Sequence, residues 1–169
     1  KVENSAVAGN YTLSNVQLAT SQALTLDGHP DRDRDQNIGT GGTLTIQLNN
    51  GENAVSVDLG DDTSLQGIMK TINANPDLGV QATIINDGSA YRLMLTATGT
   101  GIEAGVANIT VKDNDKLNDL LQFNASDLPQ DPDAEQRSGN FSVTAAKNAS
   151  FDLNGITITS QSNTSKDVI

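Results

Sequence analysis

Three aspartates in the stretch PDRDRDQN, Asp31, Asp33 and Asp35, stand at every second position. That is the 1-3-5 spacing with which an EF-hand loop sets carboxylates around calcium. The rest of such a loop does not follow. Its sixth position requires glycine and holds Gln36, and its twelfth requires glutamate and holds Gly42. No amphipathic pattern flanks the stretch, so it reads as a solvated, charged connector. The one histidine, His29, lies between Gly28 and Pro30 in the same connector, and any Ser-His-Asp relay would have to use it. With no apolar wall to hold the imidazole, His29 reads as a surface residue.

Other constellations fare no better. Acids are numerous enough for paired-carboxylate glycoside hydrolysis. Sugar sites generally want aromatic platforms, however, and the chain has no tryptophan. The segments GTGG and GTGIEAG are glycine-rich but lack the strand-loop-helix order and the lysine of a phosphate cradle. The absence of cysteine excludes disulfides, Cys-Zn sites and thiol catalysis. This reading assigns no catalytic residue, no cofactor site and no metal ligand, and no enzyme activity.

The totals narrow the classes further. The chain has 169 residues and a formal net charge of -11. Ten Lys and Arg scattered among 21 acids form no basic patch, which argues against nucleic acid and against an anionic membrane surface. No run approaches the ~18 apolar residues of a spanning helix, and no signal-peptide core is visible. The mean hydropathy is -0.36, yet the apolar residues fall in short periodic clusters, which predicts folded elements. Aromatics are only 3%, so the core must be built from Leu, Ile, Val and Ala.

The periodicity sets out the elements. NYTLSNVQL reads as a strand that ends or bulges at Asn15-Val16. ATSQALTL continues as extended or irregular chain, and the polar break Asp27 to Gly42 follows. Leu44, Ile46 and Leu48, then Val55, Val57 and Leu59, alternate about Asn49-Asn50-Gly51 as a hairpin. Leu65, Ile68, Met69 and Ile72 form a helical stripe near 64–74, with Thr63 to Gln66 fitting a capping box and Pro76 as its stop. Val80 to Ile84 and Tyr91 to Leu95 make a second hairpin about Asn86-Asp87-Gly88. A short strand through Ile109 and Val111 precedes a second helix near 115–122, capped by Asp113, Asn114 or Asp115. A second polar break runs from Asn124 to Gly139. Strands through Phe141, Phe151 and Ile156 close the chain, the last two joined at Asn154-Gly155.

The expected class is α+β, mainly β. The first strand has no neighbour near it in sequence, so its expected partners are the C-terminal strands. The simplest organisation inserts one β-rich domain into another. The outer domain is placed at 1–33 plus 138–169, the inserted domain at 34–127 with two short helices packed on antiparallel strands, and an acidic linker at 128–137.

These residues also resemble a known family. GTLTIQLNNGENAVSVDLGDDTSLQGIMKTINANPDLGVQATIINDGSAYRLMLTATGTG is similar to the repeat of flagellin-related and hook-associated proteins. AGNYTLSNVQLATSQAL, KLNDLLQF and AKNASFDLNGITITSQSNT are similar, in the same order, to segments of the flagellar filament cap (hook-associated protein 2) family. The resemblance implies a structural role in a cap at the distal tip of the bacterial filament, outside the cell. Such caps are homo-oligomers with helical legs and a head of two β-rich domains. They guide exported flagellin into the filament end, and in some bacteria they also touch host surfaces. The resemblance implies export without a cleaved signal peptide, and it carries over no catalytic residues. A secreted adhesin or ligand-binding module is the alternative from the residues alone. The opening Lys1-Val2 and the close on Val168-Ile169 read as cuts in a longer chain. The resemblance then implies an outer domain that lacks at least one strand and is the less stable of the two.

Overall fold

The structure, a computed structural model, describes residues 10–131 and 133–164. The terminal pairs Lys1-Val2 and Val168-Ile169 lie outside the described residues. The chain forms β1 (Leu13–Gln17), β2 (Ala23–Leu26), β3 (Thr43–Leu48) and β4 (Val55–Asp58) before the helix α1 (Leu65–Asn73). It continues through β5 (Val80–Asn86), β6 (Tyr91–Ala97) and β7 (Val106–Lys112) to α2 (Asp115–Leu121). The last strands are β8 (Phe123–Asn124), β9 (Arg137–Ser138), β10 (Phe141–Thr144), β11 (Ala149–Leu153) and β12 (Ile156–Ser160). All pairings are antiparallel. They make sheets of order β1-β11-β12, β5-β6-β2-β10-β9 and β4-β3-β7-β8. The mainly β class expected from periodicity is what the chain adopts, with both helices in their expected positions.

The first strand does pair with the C-terminal hairpin, Leu13 opposite Leu153. The falter at Asn15 is a β-bulge. Register shifts between Ser14 and Gln17, and Asn15 has φ 52°.

The domain boundaries need correction. The segments 1–33 and 138–169 pair with each other, but they do not form a unit separate from 34–127. β2 pairs with β6, Leu24 opposite Leu95, and β10 pairs with β2, Phe141 opposite Leu26. Leu24, Leu26 and Phe141 lie in one buried cluster with Leu44, Ile68 and Leu93. The physical reason is burial. Ala23–Leu26 alternates half-buried with buried residues, and an isolated pair of strands could not cover such a face. The outer unit therefore keeps β1, β11 and β12, while β2, β9 and β10 complete the larger unit's central sheet. The two polar breaks are surface crossings within the larger unit.

The connector is tied down as well. Ile38 packs against the core, and its amide donates to the Thr63 carbonyl at 3.3 Å. The 128–137 linker ends in β9, where Arg137 donates to Ser142 Oγ at 2.7 Å and pairs with Asp27. That pairing raises the Arg137 pKa, with Asp27 the largest cause and Glu135 the second.

Helix α1 starts one residue later than the capping box predicts. Ser64 is the N-cap, its Oγ accepting from the Gly67 amide at 3.1 Å. Asp62 accepts from the Ser64 hydroxyl at 2.5 Å, so it braces the cap from outside the helix. Thr63 is fully buried and serves the connector. Its amide donates to Asn37 Oδ1 at 3.1 Å and its hydroxyl to the Gly39 carbonyl at 3.3 Å.

This packing explains a glycine inside a helix. A Cβ on Gly67 would lie 2.0 Å from the Asp62 carbonyl oxygen. Alanine is favoured over glycine in a helix by about 1 kcal/mol. Gly67→Ala is nevertheless expected to lower stability by a net ~1–3 kcal/mol, because backbone must move to admit it. The shift of the urea midpoint measures this. A gain in stability would mean that the Asp62 turn yields freely.

Candidate functional site

The residues singled out for chemistry do not converge. Asp31, Asp33 and Asp35 are exposed, and their contacts are local. Asp33 Oδ1 accepts from the Asp35 amide at 3.3 Å, and Asp35 Oδ2 accepts from Arg34 at 3.3 Å. Among the described residues no group of three or more His, Asp or Glu is placed to hold a metal ion. His29 is exposed, with Nδ1 accepting from the Asp31 amide at 3.2 Å.

The glycine-rich segments have packing roles. A Cβ on Gly39 would lie 2.1 Å from Asn114 Oδ1, and one on Gly101 would lie 2.4 Å from the Gln161 carbonyl oxygen. Gly101 belongs to the loop 99–105, which joins the two units. Its amide donates to the Thr20 carbonyl at 3.1 Å. Thr100 Oγ1 donates to the Gln161 carbonyl at 3.0 Å, and the Ile102 amide donates to Asn148 Oδ1 at 2.8 Å. The Glu103 amide donates to Gln161 Oε1 at 3.2 Å. Within the larger unit, buried Gln22 braces the end of the same loop, its Oε1 accepting from the Val106 amide at 2.7 Å. Main-chain groups read by fixed amide side chains hold the smaller unit against the larger one.

The smaller unit presents an unusual surface. Residues opposite one another on antiparallel strands share a face. Leu13, Leu153 and Ile156 lie in one such row, and Phe151 faces Ile158. The bulge returns Val16 to the face of Leu13. Leu13 and Val16 are each 58% exposed, and Ile156 is 69% exposed. The opposite face carries Ser14, Asp152, Thr157 and Thr159. Asp152 accepts from Asn15 Nδ2 at 2.6 Å and Thr157 Oγ1 at 2.7 Å, and these bonds lower its pKa, Asn15 first. The apolar face is half-buried at Phe151, Leu153 and Ile158 and exposed at Leu13, Val16 and Ile156, which leaves an apolar patch suited to contact. The alternation was visible in the sequence, but its exposure was not.

Electrostatics also pin the β5–β6 turn. Asp87 accepts from the Ser89 hydroxyl at 2.7 Å, the Arg92 guanidinium at 2.6 Å and the Ser89 and Ala90 amides at 2.9 Å each. The Ser89 hydroxyl, then Arg92, hold its carboxyl well below the ordinary carboxylate range. A depressed folded pKa gives stability that is present above the unfolded pKa of about 3.9 and is lost as pH falls below it. Hydrogen exchange of the Ser89 and Ala90 amides should therefore quicken from about pH 4 downward, after correction for intrinsic rates. Asp87→Asn should flatten that dependence, and an unchanged profile would refute the assignment.

The fold has close counterparts. The D2-D3 domains of the flagellar cap protein FliD from Escherichia coli superpose with a TM-score of 0.82 at 32% identity, covering 99% of this chain and 82% of that one. FliD (HAP2) from Pseudomonas aeruginosa PAO1 gives a TM-score of 0.73 at 31% identity, covering 99% and 73%. Residues 43–99 match the model of the flagellin hook IN motif. The flagellar hook-associated protein 2 of Escherichia coli K12 is 34% identical over 164 residues, 96% of this chain and 33% of that protein. The chain thus spans about a third of the length of that curated relative.

Fold and surfaces together define a pair of β-rich domains of the flagellar-cap type. The chain belongs to the flagellar hook-associated protein 2 (FliD) family.

Proposed function

We propose that this chain forms the two β-rich head domains of a cap at the distal end of a bacterial flagellar filament. The parent protein is a structural assembly protein there, and its cap subunits together guide flagellin into the filament end. It acts outside the cell, after export without a cleaved signal peptide. The observation that carries this reading is the match over 99% of the chain to the FliD D2-D3 pair at a TM-score of 0.82. The fixed junction and the partly exposed apolar face suit a module that builds contacts over a surface.

The test is deletion of the parent gene. Cells should leak unpolymerised flagellin and build no filaments, and the intact gene should restore both. Normal filaments and swimming with loss of attachment alone would overturn the reading in favour of an adhesin.

A further inference from the structure

The dipeptide Asn-Gly occurs twice in the chain, at Asn50-Gly51 and Asn154-Gly155, and the fold treats the two oppositely. Asparagine is chemically labile, and most so before glycine, where no side chain shields the next backbone nitrogen. The Gly51 nitrogen attacks Asn50 Cγ, a C–N bond closes a cyclic imide, and the Cγ–Nδ2 bond breaks. The side-chain nitrogen leaves as ammonia, taking up the proton lost from the glycine amide. Water then opens the imide at either carbonyl and gives aspartate or isoaspartate.

Asn154 is held away from this path. Asn154 and Gly155 have φ of 51° and 83°, as a two-residue turn between β11 and β12 requires. Asn154 Oδ1 accepts from the Thr12 amide at 2.9 Å, and the Asn154 amide donates to the Thr12 carbonyl at 3.0 Å. Bringing Cγ to the Gly155 nitrogen breaks the first of these and strains the second. Asn50 has no such clamp. It lies exposed in the loop between β3 and β4, where its Oδ1 accepts from the nearby Glu52 amide at 3.0 Å. The space around Gly51 is open, as it is around Gly155, so the two sites differ in their hydrogen bonds to the rest of the fold.

We propose that Asn50 is a self-modification site, converting to aspartate and isoaspartate in the folded protein while Asn154 is protected by Thr12. The site has a structural consequence. Isoaspartate at position 50 inserts a carbon into the main chain beside Asn49. The Asn49 amide donates to the Gly105 carbonyl at 2.8 Å, and its side chain donates to the Ile102 carbonyl at 3.1 Å. Conversion therefore loosens the loop that joins the two units.

The intact chain is aged at mildly alkaline pH and mapped by peptide mass spectrometry, both folded and in denaturant. Folded, Asn50 should convert roughly tenfold faster than Asn154, the factor given by breaking one tertiary hydrogen bond and straining a second. In denaturant the two should convert at similar rates. Equal rates in the folded chain, or an Asn50 that reacts only in denaturant, would overturn the proposal. In the isoaspartate fraction, exchange of the Gly101 amide should quicken, whereas Asn50→Asp, which adds the charge without the extra carbon, should leave it unchanged. Identical exchange in the two would overturn the structural consequence.

Discussion

Phe141→Ala is expected to destabilise the larger unit by about 3–5 kcal/mol. Phe141 is fully buried and packs edge-to-face on Phe123, with ring centroids 6.2 Å apart and planes at 88°. Its strand joins β2 to β9, with Phe141 opposite both Leu26 and Ser138. The side chain thus fastens three short strands that lie far apart in sequence. Removing the ring leaves a cavity that neighbouring backbone cannot fill without breaking sheet register. Phe141→Leu keeps most of the volume and should cost less than about 1.5 kcal/mol. Urea unfolding gives the magnitudes, and amide exchange gives the location. Amides of β5, β6 and α1 should lose protection in Phe141→Ala. If only β10, β11 and β12 lost it, the partition at residues 33 and 138 would stand and the observed sheet order would be wrong.

That partition shows where sequence reasoning stops. Local period was enough for the hairpins β3–β4, β5–β6 and β11–β12 and for both helices, because the alternation or stripe of each is set by neighbours in sequence. β2 was read only as extended or irregular chain, since Ala23–Leu26 offers four residues and its partners are β6 and β10. Pairing across so many residues leaves no local signal. Composition then misled. The polar breaks look like linkers between domains, yet Ile38, Thr63 and Ser138 anchor them to the larger unit's core. The same limit hid Gln22 altogether, and it hid the contacts by which the cap candidates Thr63 and Asn114 join distant segments. Gln22, Thr63 and Asn114 are polar types that usually face water. Here each is buried and satisfies backbone groups of another segment. The apolar face of β11 and β12 was legible as alternation, because every second residue is apolar, whereas in β1 the bulge sets Leu13 and Val16 three residues apart. Whether anything covers that face depends on packing that no periodicity encodes.

Asn114→Ala should remove about 2–4 kcal/mol, the sum of a lost helix cap and of half-buried carbonyls left without donors. Asn114 is 6% exposed. Its Oδ1 accepts from the Leu117 amide at 3.1 Å and caps α2. Its Nδ2 donates to the Ile38 and Gly41 carbonyls, both at 2.9 Å. One side chain therefore starts a helix and closes the connector over the core. The roles of these two atoms separate by substitution. Asn114→Ser keeps an acceptor for the cap and loses both donors, so it should recover only about 1 kcal/mol of the alanine loss. Asn114→Asp gains from a negative charge at the helix N-terminus. It also turns a carboxylate oxygen toward two carbonyls that need a donor, so it should be no more stable than serine. Urea midpoints order the series, and limited proteolysis locates the damage. Cleavage at Arg32 and Arg34 should rise in all three variants, because the connector's hold on α2 is lost in each. A serine variant as stable and as resistant as the native chain would mean that the donors contribute nothing. The acidic connector would then be the solvated linker that its composition suggests, and the ordering of Ile38 would rest on its apolar contacts alone.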